Sequence, residues 1–192
     1  IIIPSYKDPL LQKTIESLLE NAQGEIEIIA VLDGYTPDRP LKEDRRVEVI
    51  HLENRLGMRN AINTGVTISK GEYIMKCDEH CMFDKGFDIK LLADIEDNWV
   101  VIPRRYKLDT DKWIVCEDDK EPIDYEKLVI DQPDRICGVR WPGRAVARKD
   151  ILIDEIGTVG MLNPNALPQH SLGEDWGPNN YAKGFVAMKN FQ

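Results

Sequence analysis

Gly71-Glu72-Tyr73-Ile74-Met75-Lys76-Cys77-Asp78-Glu79-His80 decides how this chain is read. It opens as a strand-forming run and ends in a cluster of metal-ligand side chains. In an open α/β sheet, ligands gather beyond the carboxyl ends of the strands. Strand alternation puts Asp78 and His80 on one face and turns Cys77 and Glu79 to the other. A carboxylate oxygen and an imidazole nitrogen so placed could share one divalent cation.

Working back from that stretch, Gly57 to Ser69 reads as a helix, with Met58, Ala61, Ile62, Gly65 and Val66 facing a sheet. Strands are predicted at Ile1-Ile2-Ile3, at Ile26 to Leu32 and near Val47 to Leu52. Between the first two, Asp8 is expected to cap a helix whose first position is Pro9. Leu10, Leu11, Ile15, Leu18 and Leu19 form its apolar stripe, and Gly24 ends it. Working forward, a helix is expected over Phe87 to Glu96 and a strand over Trp99 to Ile102, stopped by Pro103. Strand, helix, strand, strand, helix, strand is the pattern of an α/β fold with a mostly parallel central sheet and helices on its faces. The second half is less regular. Lys112 to Cys116 is β-like, Arg144 to Arg148 suggests another strand, and Lys149 to Glu155 a short helix. Residues 157–173 read as a long loop.

The totals fit this plan. A chain of 192 residues suits one domain with a real core. Its 42% apolar and 31% charged residues are ordinary for a globular protein. A net charge of −9 argues against nucleic acid as the main partner, because phosphate backbones favour a basic face. It leaves room for a phosphorylated small substrate, since a bound cation can carry the local positive charge. No apolar run reaches the length of a membrane span, and no signal peptide is visible. Four cysteines show no disulfide framework, so reduced thiols and a cytoplasmic location are expected. The chain begins without Met, and truncation at both ends is expected.

Four pieces appear in order: Ile2-Ile3-Pro4-Ser5-Tyr6, Val31-Leu32-Asp33-Gly34, Asn54-Arg55-Leu56-Gly57-Met58-Arg59-Asn60 and Lys70-Gly71-Glu72-Tyr73-Ile74. Together they resemble the opening half of glycosyltransferase family 2, with its GT-A (nucleotide-diphospho-sugar transferase) fold and Rossmann-like first half. The resemblance covers residues 1–103 and returns at Gly173-Glu174-Asp175-Trp176. It implies a nucleotide-sugar-binding half over 1–103 and an acceptor-binding half over 104–192. Pro4, Ser5 and Tyr6 would hold base and ribose, with Tyr6 stacking on the base. Asp33 would accept the N3–H of uracil, which points to a UDP-linked sugar. Arg59 would approach the base or the diphosphate, a task suited to a planar guanidinium. Each of these residues, taken singly, also reads as a turn former, a cap or a solvated helix position.

The family usually writes its metal site Asp-x-Asp, and here it is Asp78-Glu79-His80. That form resembles the Asp-x-His motif of the polypeptide N-acetylgalactosaminyltransferases, in which both residues bind manganese. The imidazole makes Mn²⁺ the first choice and Mg²⁺ the second, since Mg²⁺ prefers oxygen ligands. Zinc held by Cys77, His80 and Cys81 is the weaker reading, because Cys77 should face away and no Cys-x-x-Cys pair exists. The cysteines read better as small buried apolar residues.

In inverting members of the family an acidic pair at a helix start faces the sugar, and Asp175 matches its base. Glu174 beside it would bind acceptor or orient the loop. Acids at a helix N-terminus are also common for dipole reasons alone. Trp176 and Trp141 could offer apolar faces to a sugar acceptor, and His170 could add a third metal ligand. Arg104, Arg105 and Lys107 are either solvated or in contact with phosphate.

The expectation is therefore a metal-dependent glycosyltransferase, taking a sugar from a nucleotide diphosphate to a saccharide or other hydroxyl acceptor. Inversion with Asp175 as base is preferred. The Asp-x-His motif favours retention instead. A non-catalytic sugar-nucleotide-binding module is the competitor from another class. A nucleotidyltransferase fits less well, because Ser5-Tyr6-Lys7-Asp8 is not a Gly- and Lys-rich loop.

Overall fold

Ile28-Ile29-Ala30-Val31-Leu32 contains no polar side chain, and the strand it forms, β2 (Ile28–Asp33), is buried along its whole length. Such a run belongs inside a sheet covered on both faces. The computed structural model describes residues 1–93, 95, 100, 101, 103, 106–116, 126–132, 135–140 and 186–189. The chain divides into two compact units, residues 1–102 with 184–192, and residues 103–183.

In the first unit β2 lies parallel between β1 (Ile2–Ser5) and β3 (Val47–Leu52). On its other side β1 pairs in parallel with β4 (Tyr73–Lys76). Two further strands, β5 (Val100–Val101) and β10 (Val186–Lys189), extend the sheet antiparallel, giving the order β3-β2-β1-β4-β10-β5. Among the described residues the unit also contains helices α1 (Leu11–Asn21), α2 (Met58–Ile68) and α3 (Phe87–Leu92). In the second unit β6 (Leu108–Asp109) pairs with β7 (Ile114–Val115), and β8 (Glu126–Gln132) with β9 (Arg135–Arg140).

Alternation along β2 sorts the core into two layers. Ile28, Ala30 and Leu32 join Ile3, Met75 and Cys77 beneath α1 and α3, packed on Leu11, Ile15, Leu18, Phe83 and Phe87. Ile29 and Val31 point the opposite way and meet Ala61 of α2. Helix α2 comes unusually close to β1: a Cβ at Gly65 would lie 2.6 Å from Cγ2 of Ile2.

The strands and helices expected over residues 1–102 are present, with shifted ends. The strand expected at Arg144 to Arg148, the helix at Lys149 to Glu155 and the loop at 157–173 lie outside the described residues. Helix α1 starts at Leu11 rather than Pro9, because Asp8 Oδ1 accepts the Leu10 N–H at 2.8 Å and makes a turn first. Helix α3 spans Phe87–Leu92, shorter than the expected run to Glu96. Among the described residues no helix is long and apolar enough to cross a membrane.

Candidate active site

The chain runs from β1 to β2 to β3 on one side of the sheet, then returns to place β4 on the other side of β1. The order therefore reverses between β1 and β4, which is where open α/β sheets form a crevice at their carboxyl edge. The β1–β4 ladder has a single register pair, Ile2 with Lys76, and Cys77 N–H bonds Ile2 O at 3.1 Å. Pro4, two residues on, has no N–H to extend it. Past that point the rim is built from Ser5 to Asp8 on one side and Asp78 to His80 on the other.

Cross-links of high sequence separation fix this rim. Tyr6 N–H donates to Glu79 Oε1 at 3.0 Å, and His80 Nδ1 lies 2.9 Å from Asp8 Oδ2. From below, Thr14 of α1 donates to Glu79 O at 2.7 Å and accepts Cys81 N–H at 2.9 Å. Ser17 accepts Phe83 N–H at 3.0 Å. Thr14 and Ser17 are buried within the apolar face of α1, and these bonds satisfy them there. Burial pushes the Glu79 carboxyl above its usual range, opposed by the Tyr6 N–H.

Strand β4 ends at Lys76, so Asp78 and His80 stand beyond it, His80 in a turn, and strand alternation is not what places them. Each is anchored by a different neighbour. Asp78 Oδ1 is paired with the ammonium of Lys76, a side chain only 3% exposed. Asp8 holds the Nδ1 edge of His80, whose ring remains 35% exposed. These contacts leave Asp78 Oδ2 and His80 Nε2 as the atoms that could reach a cation. Among the described residues no group of three or more His, Cys, Asp or Glu could hold a metal by itself. Two protein ligands would leave the other positions to water and phosphate oxygens, a familiar arrangement for cations that bind nucleotides. Cys77 is fully buried in the core, its thiol pushed well up by desolvation. Cys81 packs against the same cluster, with its thiol raised to about 12. Both behave as apolar core residues, as expected from the sequence.

On the β1 side, the Ser5 hydroxyl is buried and hydrogen-bonded to the Tyr35 hydroxyl at 2.5 Å. Tyr6 is 38% exposed, and its ring is already in use. The Arg55 guanidinium lies 4.0 Å from its centroid, and Tyr35 meets it edge-on at 6.0 Å. Arg59 sits half-buried in the first turn of α2; the guanidinium found against Tyr6 is that of Arg55.

Asp33 ends β2 pointing to the α2 side, 3% exposed. Its two carboxylate oxygens accept the N–H groups of Leu56 and Gly57, at 2.7 and 2.9 Å. This fastens the loop that leads into α2. Gly34 lets that loop descend: it has φ +71°, and a Cβ there would lie 2.3 Å from Arg55 N. Asp33→Ala removes two charge-assisted bonds and is expected to cost about 2 kcal/mol in urea unfolding. Asp33→Asn keeps one acceptor oxygen but turns an NH₂ donor on the other N–H, so it should lose a comparable amount.

Glu174, Asp175, Trp176, Trp141 and His170 lie outside the described residues, as do Arg104 and Arg105. The contributions of Asp8, Thr14, Ser17, Arg55, Lys76 and Glu79 were missed from sequence. Lys76 did carry a signal, since it interrupts an apolar strand two residues before Asp78.

Glycosyl transferase family 2 matches residues 1–155, most of the chain and all of the rim described above. The chain belongs to that family. Its parallel β3-β2-β1-β4 sheet with flanking helices is the α/β, GT-A-type arrangement expected. Among curated relatives, the uncharacterized glycosyltransferase EpsJ of Bacillus subtilis (strain 168) is 37% identical over 106 residues, 51% of this chain and 30% of that protein. Glycosyltransferase GlyG of Streptococcus pneumoniae serotype 4 (strain ATCC BAA-334 / TIGR4) is 32% identical over 118 residues, 57% of this chain and 39% of that protein. The matched region thus spans well under half the length of these relatives.

Proposed function

We propose that this family 2 domain transfers a sugar from a nucleotide diphosphate donor, a UDP-sugar by preference, to a saccharide or other hydroxyl acceptor. The observation that carries the reading is the meeting of Ser5–Asp8 and Asp78–His80 at the point where the sheet order reverses. Asp78 and His80 would hold Mn²⁺, with Mg²⁺ the second choice. Such a cation, when bound, neutralises charge on the leaving nucleoside diphosphate. Tyr6 and Arg55 lie on the β1 side, with the Arg55 guanidinium 4.0 Å from the Tyr6 ring centroid, and an aromatic ring and a guanidinium suit a base and its phosphates. The preference for uridine rests on the family resemblance, since Asp33 is already bonded to the backbone.

Asp175 is assigned as the base that takes the acceptor proton, with Glu174 beside it, which makes the enzyme inverting. A retaining enzyme is the second reading, and the specific feature favouring it is the imidazole at position 80. The test is release of nucleoside diphosphate by purified protein with Mn²⁺, across donors differing in base and in sugar. Release that requires Mn²⁺ and is fastest with a UDP-sugar is the expected result. Donor binding without release under every acceptor would instead establish a binding module. NMR of the product separates the two stereochemical courses: a β-linked product from an α-linked donor shows inversion.

A further inference from the structure

We propose that Asp8 is a positioning residue for His80, fixing the imidazole tautomer that leaves Nε2 able to bind a cation. The inference rests on the metal-dependent reading above and adds a residue that the Asp-x-His motif does not contain. Its basis is one juxtaposition: Asp8 Oδ2 lies 2.9 Å from His80 Nδ1, across 72 residues of chain and across the crevice between β1 and β4.

An ionised carboxylate can only accept a hydrogen bond, so the proton between them sits on Nδ1. A neutral ring protonated at Nδ1 carries its lone pair on Nε2, the edge turned away from Asp8. Histidines that bind metals commonly donate their other N–H to a carboxylate in this manner, which orients the ring and makes it a better ligand. Asp8 is itself held. Its Oδ1 accepts the Leu10 N–H at 2.8 Å, so the turn before α1 sets the direction of Oδ2. The His80 backbone is tied from below by the bonds of Thr14 to Glu79 O and Cys81 N. Both partners of the pair are thus placed by rigid elements before any ligand arrives.

The discriminating variant is Asp8→Asn. Asn can keep its side-chain oxygen on Leu10 N–H, but the atom facing His80 becomes an NH₂ donor. Nδ1 must then accept, and the proton moves to Nε2. Long-range ¹H–¹⁵N correlation spectra on metal-free protein with ¹⁵N-labelled histidine, at a pH where the ring is neutral, read the tautomer directly. Mn²⁺ titrations followed by EPR, with and without UDP, read the affinity. The expected result is protonated Nδ1 in the wild type, protonated Nε2 in Asp8→Asn, and Mn²⁺ affinity lower by about 10–100-fold. The urea midpoint should stay near that of the wild type, which excludes a folding defect.

A wild-type ring protonated at Nε2 would overturn the inference. So would Asp8→Asn binding Mn²⁺ within a factor of two of wild type while His80→Ala loses it. Neither result would touch the transferase reading. Wild-type protein that binds no Mn²⁺, with or without UDP, would overturn the inference and the metal-dependent reading together.

Discussion

Asp78→Ala should lower the stability of the protein by about 3–5 kcal/mol, a loss far larger than a half-exposed surface acid would give. The cause is its partner. Lys76 is 3% exposed at the carboxyl end of β4, and Asp78 is the counter-charge within reach of its ammonium. Truncating the carboxylate strands a cation in the core of the sheet. The ammonium can escape only by losing its proton or by dragging water inward, and both cost free energy. Equilibrium urea unfolding measures the loss. The double variant Lys76→Met/Asp78→Ala removes both charges and should return to within about 1 kcal/mol of the wild type, because buried ion pairs seldom outperform packed apolar residues. If Asp78→Ala alone unfolds at the wild-type midpoint, the ammonium is not committed to Asp78. The double variant also serves a functional purpose. Asp78 is the first residue of the Asp-x-His motif, and its substitution alone would confuse lost cation binding with lost folding. In the Lys76→Met background that confusion disappears, and a fall in Mn²⁺ affinity belongs to the missing ligand.

The same two residues show how far sequence reasoning carries. Strand β3 falls at Val47–Leu52 as expected, and α2 at Met58–Ile68 is within a residue of expectation. The apolar periodicity of α2 is uninterrupted and that of β3 is broken only at Ile50-His51, so local signal decides. The start of α1 was misplaced because Asp8 looked like a helix cap, whereas its second oxygen serves His80. The β8–β9 hairpin went unseen although Pro133-Asp134 are turn-forming residue types, because charges at Lys127, Asp131 and Arg135 blur the alternation. Strand β10 pairs with β4 from more than a hundred residues away, and no local pattern announces such a partner. For the site, the sequence identified the two strand ends that meet. Which side chain grips which was beyond it: Tyr6 with Glu79, Asp8 with His80 and Arg55 with Tyr6 are all tertiary contacts. Period-2 alternation does not explain the placing of residues 78 and 80, since the strand ends at Lys76.

Asp175→Asn should leave folding and donor binding intact and reduce kcat by about 10²–10⁴-fold, the usual contribution of a positioned general base. An acceptor hydroxyl is a poor nucleophile while it keeps its proton, and an amide cannot take that proton as the oxygen attacks. A donor KM within a few-fold of wild type would show that the loss arises at the chemical step rather than in binding. Glu174→Gln should act differently, raising the acceptor KM more than it lowers kcat if that carboxylate binds acceptor. Retaining chemistry predicts another pattern, because the essential events then take place on the leaving-group side of the sugar. An Asp175→Asn enzyme with kcat within about tenfold of wild type, giving an α-linked product from an α-linked donor, would remove the inverting assignment. The cation site proposed at Asp78 and His80 would survive that result, since neutralising a departing nucleoside diphosphate is required on either course.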